Sequence, residues 1–188
     1  MRLKTFFFKT FILLFLIIGL TTFINITVSH AADITLNNTQ TQVCFSPGGD
    51  CTDAIVGQIE KARTEIFVQA YSFTSAPIAK ALINAHKRGV HVEIILDKSN
   101  KSQKYSAGDF TAHMGVATYI DSKHAIAHNK IIIIDRETVI AGSFNFTKAA
   151  EEKNAENLLI LKNKELAEIY IDNWNKHKEH SEKYEGGK

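Results

Sequence analysis

A chain of 188 residues with 45% apolar side chains is long enough for one well-filled domain, which excludes a disordered or fibrous protein. The formal charge of +2 comes from 22 basic against 20 acidic side chains. Residues 1–31 hold Arg2, Lys4 and Lys9 and no acid, so the remainder carries 19 against 20, a net charge near −1, and global charge gives no argument for nucleic-acid binding.

The first element, residues 1–31, opens basic, runs apolar through "FFFKTFILLFLIIGL" and closes on Ser29-His30-Ala31. That is the pattern of a secretory signal peptide cut after Ala31, with an uncleaved membrane anchor as the alternative for so long an apolar run. It predicts a periplasmic or secreted protein, membrane-associated if the leader stays. Residues 32–188 then form the domain. Residues 33–43 read as loose chain or a short strand. Cys44 and Cys51 in "CFSPGGDC" are the two cysteines. In an exported chain a disulfide is the leading reading, worth roughly 2–3 kcal/mol for so short a loop; two free thiols is the reading for a cytosolic one.

"TDAIVGQIEKAR" spaces Ile55, Val56, Ile59 and Ala62 for a helix. "TEIFVQAYSF" reads as a buried strand, with Tyr71 and Phe73 assigned to the core. "SAPIAKALINAHKRG" is a helix with Ser75 as N-cap, Pro77 in the first turn and Gly89 as stop. "VHVEIILD" is a strand. "KSNKSQKYSAGDF" is a polar loop into a short helix; its Lys98, Lys101 and Lys104 are a candidate substrate-facing patch, with a solvated loop as the plain alternative. "VATYI", "HNKIIIID", "TVIAGSF" and "NLLIL" are further strands. "KELAEIYIDNWNKHKEH" closes the chain as a helix with Leu166, Ile169, Tyr170 and Trp174 on one face. Strands alternating with helices in the first half, then neighbouring strands, predict an α/β fold: a mixed sheet flanked by helices on both faces.

The chemistry concentrates in "HNKIIIIDRETVIAGSFNF". Residues two apart in a strand share a face, so His128 and Lys130 point together. Asp135 is an odd number of positions from both and ~16 Å along the strand from Lys130 at about 3.3 Å per residue. It is therefore read as the turn, in a supporting role. Pairing Ile134 with Thr138 across that turn brings Ser143 and Asn145 back beside His128, with Gly142 leaving backbone room for a ligand. Lys130, Ser143 and Asn145 can hold phosphate oxygens, His128 can attack phosphorus or carry a proton, and a carboxylate can fix the imidazole's tautomer, for which Glu156 is the candidate. No acidic pair or third clustered ligand suggests a metal, and none is expected. His124 and His128 lie four apart, but in a loop running into a strand they are not read as a zinc pair. No cofactor is expected.

"HNKIIIID", "GSFNFT" and "NAEN" together resemble the HxKx4D(x6)GSxN signature of the phospholipase D superfamily. "CFSPGGDCTDAI", "AYSFTSAPIAKAL" and "HKRGVHVEIILDKSN" resemble its small single-motif, nuclease-like bacterial branch. The resemblance implies a metal-independent phosphodiesterase working in two steps through a covalent phosphohistidine. It implies that His128, Lys130, Ser143, Asn145 and Glu156 fill the site positions and that Asp135 is the motif aspartate. Such a site needs two motifs, one histidine attacking and the other protonating the leaving group. Of the eight histidines only His128 has lysine two positions on. One chain supplies half a site, which predicts a symmetric homodimer with the motifs meeting on the two-fold axis. The leading expectation is an exported endonuclease cutting DNA or RNA. The alternative is a phospholipase D hydrolysing phospholipid headgroup esters, and a third is a non-catalytic nucleic-acid-binding module.

Overall fold

The structure is a computed structural model that describes residues 31–102 and 106–187. The leader assigned to residues 1–31 and the candidate Lys104 thus lie outside the described residues, apart from Ala31. The compact unit runs from Thr35 to Lys188. Among its described residues no helix is long and apolar enough to cross a membrane.

Eight strands form one sheet: β1 Gln40–Ser46, β2 Glu65–Ala70, β3 His91–Asp97, β4 Ala117–Asp121, β5 Lys130–Ile134, β6 Thr138–Gly142, β7 Glu156–Lys162 and β8 Glu182–Tyr184. Their order is β1-β7-β6-β5-β2-β3-β4-β8. The β2/β3 and β3/β4 pairs are parallel and the other five antiparallel. The helices are α1 Cys51–Lys61, α2 Ala76–Lys87, α3 Ala107–His113, α4 Lys148–Glu152 and α5 Lys164–Lys178, with a 3-10 turn at Lys98–Lys101. The parallel pairs need crossovers, which α2 and α3 supply. The expected mixed sheet with helices on both faces is what forms.

The isoleucine run explains the layering. Strand side chains alternate, so Ile132 and Ile134 enter the larger core with Ile55 and Ile59 of α1 and Ile78 and Leu82 of α2. Ile131 and Ile133 turn to the other face, where α5 lays Ala167, Ile171 and Trp174 over Phe67, Ile95 and Val139. A strand covered on both sides has no polar face to keep, hence the unbroken apolar sequence. Trp174 fastens α5: its ring centroid is 4.7 Å from that of Phe67 and its Nε1–H donates to the Val68 carbonyl at 3.0 Å. Truncating so buried an aromatic costs about 3–5 kcal/mol.

Some sequence expectations change. The strand starts at Lys130, not His128, which lies in the loop 122–129. On α5 the inward residues are Ala167, Ile171 and Trp174, flanked by Leu166 and Tyr170. Ile169 points out at 36% exposure, because at two positions from both Ala167 and Ile171 it lies nearly half a turn off the seam. Residues 33–43, read as loose or a short strand, lead into β1, whose residues 40–46 pair along seven positions with β7. The short elements α4 and β8 carry too little periodicity to be legible in sequence. Cys44 on β1 and Cys51 opening α1 form the expected disulfide.

Candidate active site

The β5–β6 hairpin has the register the sequence predicts: Ile134 pairs with Thr138 and Ile131 with Ala141. Asp135 and Arg136 both take positive φ, 52° and 53°. Two consecutive left-handed residues give the turn whose twist matches the flanking strands, and Asp tolerates that region. The Glu137 amide closes the turn on the Ile134 carbonyl at 3.1 Å. The Asp135 carboxylate faces away from the histidine end of the strand. It accepts hydrogen bonds from the Arg63, Thr64 and Glu65 amides and the Thr64 hydroxyl, between 2.8 and 3.2 Å. Burial opposes its ionised form, but these donors outweigh it and hold the carboxyl below the usual carboxylate range. The motif aspartate thus fastens the start of β2 to the hairpin.

At the other end of β5 the side chains gather. His128 is exposed while Lys130, two residues on, is buried at 7% exposure. Lys130 Nζ donates to the His128 carbonyl at 2.9 Å and lies 5.1 Å from the centre of the Tyr71 ring. Burial pushes the ammonium's pKa below the ordinary lysine value, and the Glu156 charge pulls it partway back. The imidazole of His128 packs against Tyr71, ring centroids 4.6 Å apart. Tyr71 is itself fixed, its amide donating to the Asn129 carbonyl at 2.8 Å and its carbonyl accepting from Asn100 Nδ2 at 2.7 Å.

Ser143 and Asn145 follow β6 back to this end. Ser143 Oγ donates to Glu156 Oε2 at 2.6 Å and accepts from the Asn157 amide at 3.1 Å. Glu156 Oε1 takes a second bond, from Asn154 Nδ2, at 3.1 Å. The expected direct contact of Glu156 with the His128 ring is not among its hydrogen bonds; Tyr71 is what lies against that ring. The carboxylate acts on Ser143 and, through its charge, on Lys130. Asn145 Oδ1 is buried and meets no donor among the described residues. A buried amide end without a partner is costly unless a ligand completes it, and an amide flip would present its N–H₂ to the same space.

Gly142 serves a purpose other than the one expected. A Cβ there would stand 2.2 Å from the Asn157 carbonyl oxygen, so the room is filled by β7, not kept for a ligand. The lysine patch is also spoken for: Lys98 Nζ donates to the His124 carbonyl at 3.0 Å and Lys101 Nζ pairs with Glu182 at 3.1 Å. Lys98 thus joins the 3-10 turn to the loop 122–129, and Lys101 joins it to β8. Tyr71, assigned to the core with Phe73, is a site residue that sequence reading missed. Phe73 is fully buried, but Tyr71 falls just past the end of β2, where strand alternation no longer says which way a side chain points.

An exposed imidazole, a buried cation and a hydroxyl–carboxylate–carboxamide group on a mixed sheet are the groups a phosphate-ester-handling α/β protein needs. The comparisons with known proteins agree. Residues 55–178 match a family described as "Cardiolipin synthase, PLD-like domain". A protein of Rickettsia conorii named phospholipase D is 46% identical over 147 residues, 78% of this chain and 74% of that one. A phospholipase D family member, Nuc from Salmonella typhimurium, superposes with a TM-score of 0.75 at 40% identity, covering 78% of this chain and 98% of that one. NucT from Helicobacter pylori gives 0.73 at 26% identity, over 78% and 99%. The chain belongs to the phospholipase D superfamily and is one of its phosphodiesterases.

Proposed function

We propose that the protein is an exported, metal-independent endonuclease that hydrolyses DNA or RNA phosphodiesters as a symmetric homodimer. The observation that carries this reading is the half site: one exposed His128 over one buried Lys130, with no second such pair in the sequence. His128 of one subunit attacks phosphorus, and the P–O bond to the leaving group breaks. The partner subunit's His128, protonated, gives its proton to that departing oxygen. The same imidazole, now neutral, takes a proton from water as the water attacks the phosphohistidine and frees the first imidazole. Lys130 and Asn145 hold the non-bridging oxygens, and Ser143 with Glu156 sets their positions. The exposed position of His128 suits access by a polymer. The Cys44–Cys51 disulfide and the leader-like residues 1–31 support export.

Hydrolysis of phospholipid headgroup esters is the second reading, supported by the name phospholipase D of the 46% identical Rickettsia conorii relative. The deciding assay sets plasmid DNA, single-stranded DNA, RNA and phosphatidylcholine vesicles side by side in excess chelator. Nucleic acid should be cut and His128→Asn should lose about 10⁴-fold or more. Acid-labile phosphate should be trapped on His128 after quenching. Headgroup release with every nucleic acid intact would replace the nuclease reading by the second one. Absence of any trapped phosphate or turnover would leave a binding module.

A further inference from the structure

A second constellation lies outside the phosphate-handling residues. Asp121, the last residue of β4, is fully buried. Its Oδ1 accepts the amides of Lys123 at 3.0 Å and His124 at 3.4 Å, which fixes the carboxylate plane. Its Oδ2 is met by three imidazoles: His124 Nδ1 at 2.8 Å, His177 Nδ1 at 2.8 Å and His180 Nε2 at 3.3 Å. The rings crowd one another, with centroids 4.8, 5.2 and 5.5 Å apart. One ligand atom from each of the four residues lies within 4.8 Å of the others.

As an ordinary hydrogen-bond cluster this arrangement is incomplete. A carboxylate oxygen offers two lone-pair directions, and His124 and His177 occupy them. His180 Nε2 is buried, aimed into the same point, and lacks hydrogen-bond alignment with any acceptor among the described residues. As ligands, the three imidazoles would present three nitrogen lone pairs and Asp121 one carboxylate oxygen to a shared centre. That is a four-ligand set for a divalent cation. The spacing fits as well, with Asp121 and His124 three apart on one segment and His177 and His180 three apart at the end of α5. The fixed Oδ1 is the outer-layer support such ligands carry.

We propose that Asp121, His124, His177 and His180 form a closed, tetrahedral site for a divalent transition-metal ion, zinc by its donor set. Four protein ligands leave no open position, so the ion is structural and no step of the phosphodiester chemistry passes through it. It ties the C-terminal end of α5 to the loop 122–129, which delivers His128. The inference stands whichever phosphodiester the enzyme takes.

The test uses the untagged chain, stripped with chelator and reloaded with zinc or cobalt. The expected result is one zinc per chain retained through dialysis, and cobalt giving the visible absorption of a tetrahedral centre that zinc then displaces. At a hundredfold excess over its dissociation constant, zinc should raise the melting temperature by about 5–10 °C. Asp121→Asn and His180→Ala should each lose the retained zinc and the thermal shift, while His113→Ala, outside the cluster, keeps both. If Asp121→Asn does not fold, His180→Ala with a native circular dichroism spectrum decides alone. Substoichiometric zinc in the reloaded wild type, or zinc retained equally by a His177→Ala/His180→Ala variant, overturns the site.

Discussion

Replacing Asp135 separates structure from chemistry within the signature itself. The carboxylate accepts four donors, from Arg63, Thr64 twice and Glu65. A hydrogen bond to a charged acceptor nets about 1.5–3 kcal/mol, but these groups are part-exposed and water replaces some of the loss. Asp135→Asn keeps one acceptor and tolerates the φ of 52°, so it should cost about 1–2 kcal/mol. Asp135→Ala removes every acceptor and adds about 1 kcal/mol for a left-handed alanine, for a total of about 3 kcal/mol. With an urea m-value of about 2 kcal/mol/M that is a midpoint shift near 1.5 M. Because the folded carboxyl titrates below its unfolded value, the stabilisation is full above the ordinary carboxylate pKa. It is lost as pH falls through the lowered one. Asp135→Asn should therefore flatten the acid side of the stability profile. Turnover per folded molecule, measured well below the denaturation midpoint, should change less than about tenfold. An Asp135→Asn protein with an unchanged urea midpoint and abolished turnover would refute the assignment and make the carboxylate a participant in the chemistry.

The Glu156→Gln substitution removes the charge that holds the Lys130 pKa up against burial, so the alkaline limb of the kcat profile should move to lower pH. Activity should fall about 10²-fold as Ser143 loses its anchor, and an unmoved alkaline limb would break the link to Lys130. Reducing the Cys44–Cys51 bond, which closes a span of seven positions, should lower stability by about 2–3 kcal/mol in urea titrations with and without thiol, with no change in catalytic rate.

What was legible in the sequence is local. The convergence of His128, Lys130, Ser143 and Asn145 at one end of a hairpin could be read because one tight turn sets the register for both strands, and Ile134 does pair with Thr138. The isoleucine run likewise announces a strand covered on both faces. Contacts between distant segments were not legible. Tyr71 could not be assigned to His128, since the position follows the last residue of its strand. Glu156 was expected at the imidazole but binds Ser143 and Asn154, a choice made by how β7 lies against β6. In the sequence His124 has only His128 as a histidine nearby. Its companions are Asp121 and the two histidines of a helix end 56 positions away from that carboxylate. The amino-acid order by itself determined the family's chemistry, because that chemistry rides on one hairpin. Only the tertiary structure decided which side chains surround it, because those neighbours are set by where the eight-stranded sheet and its covering helix bring the ends of separate elements together.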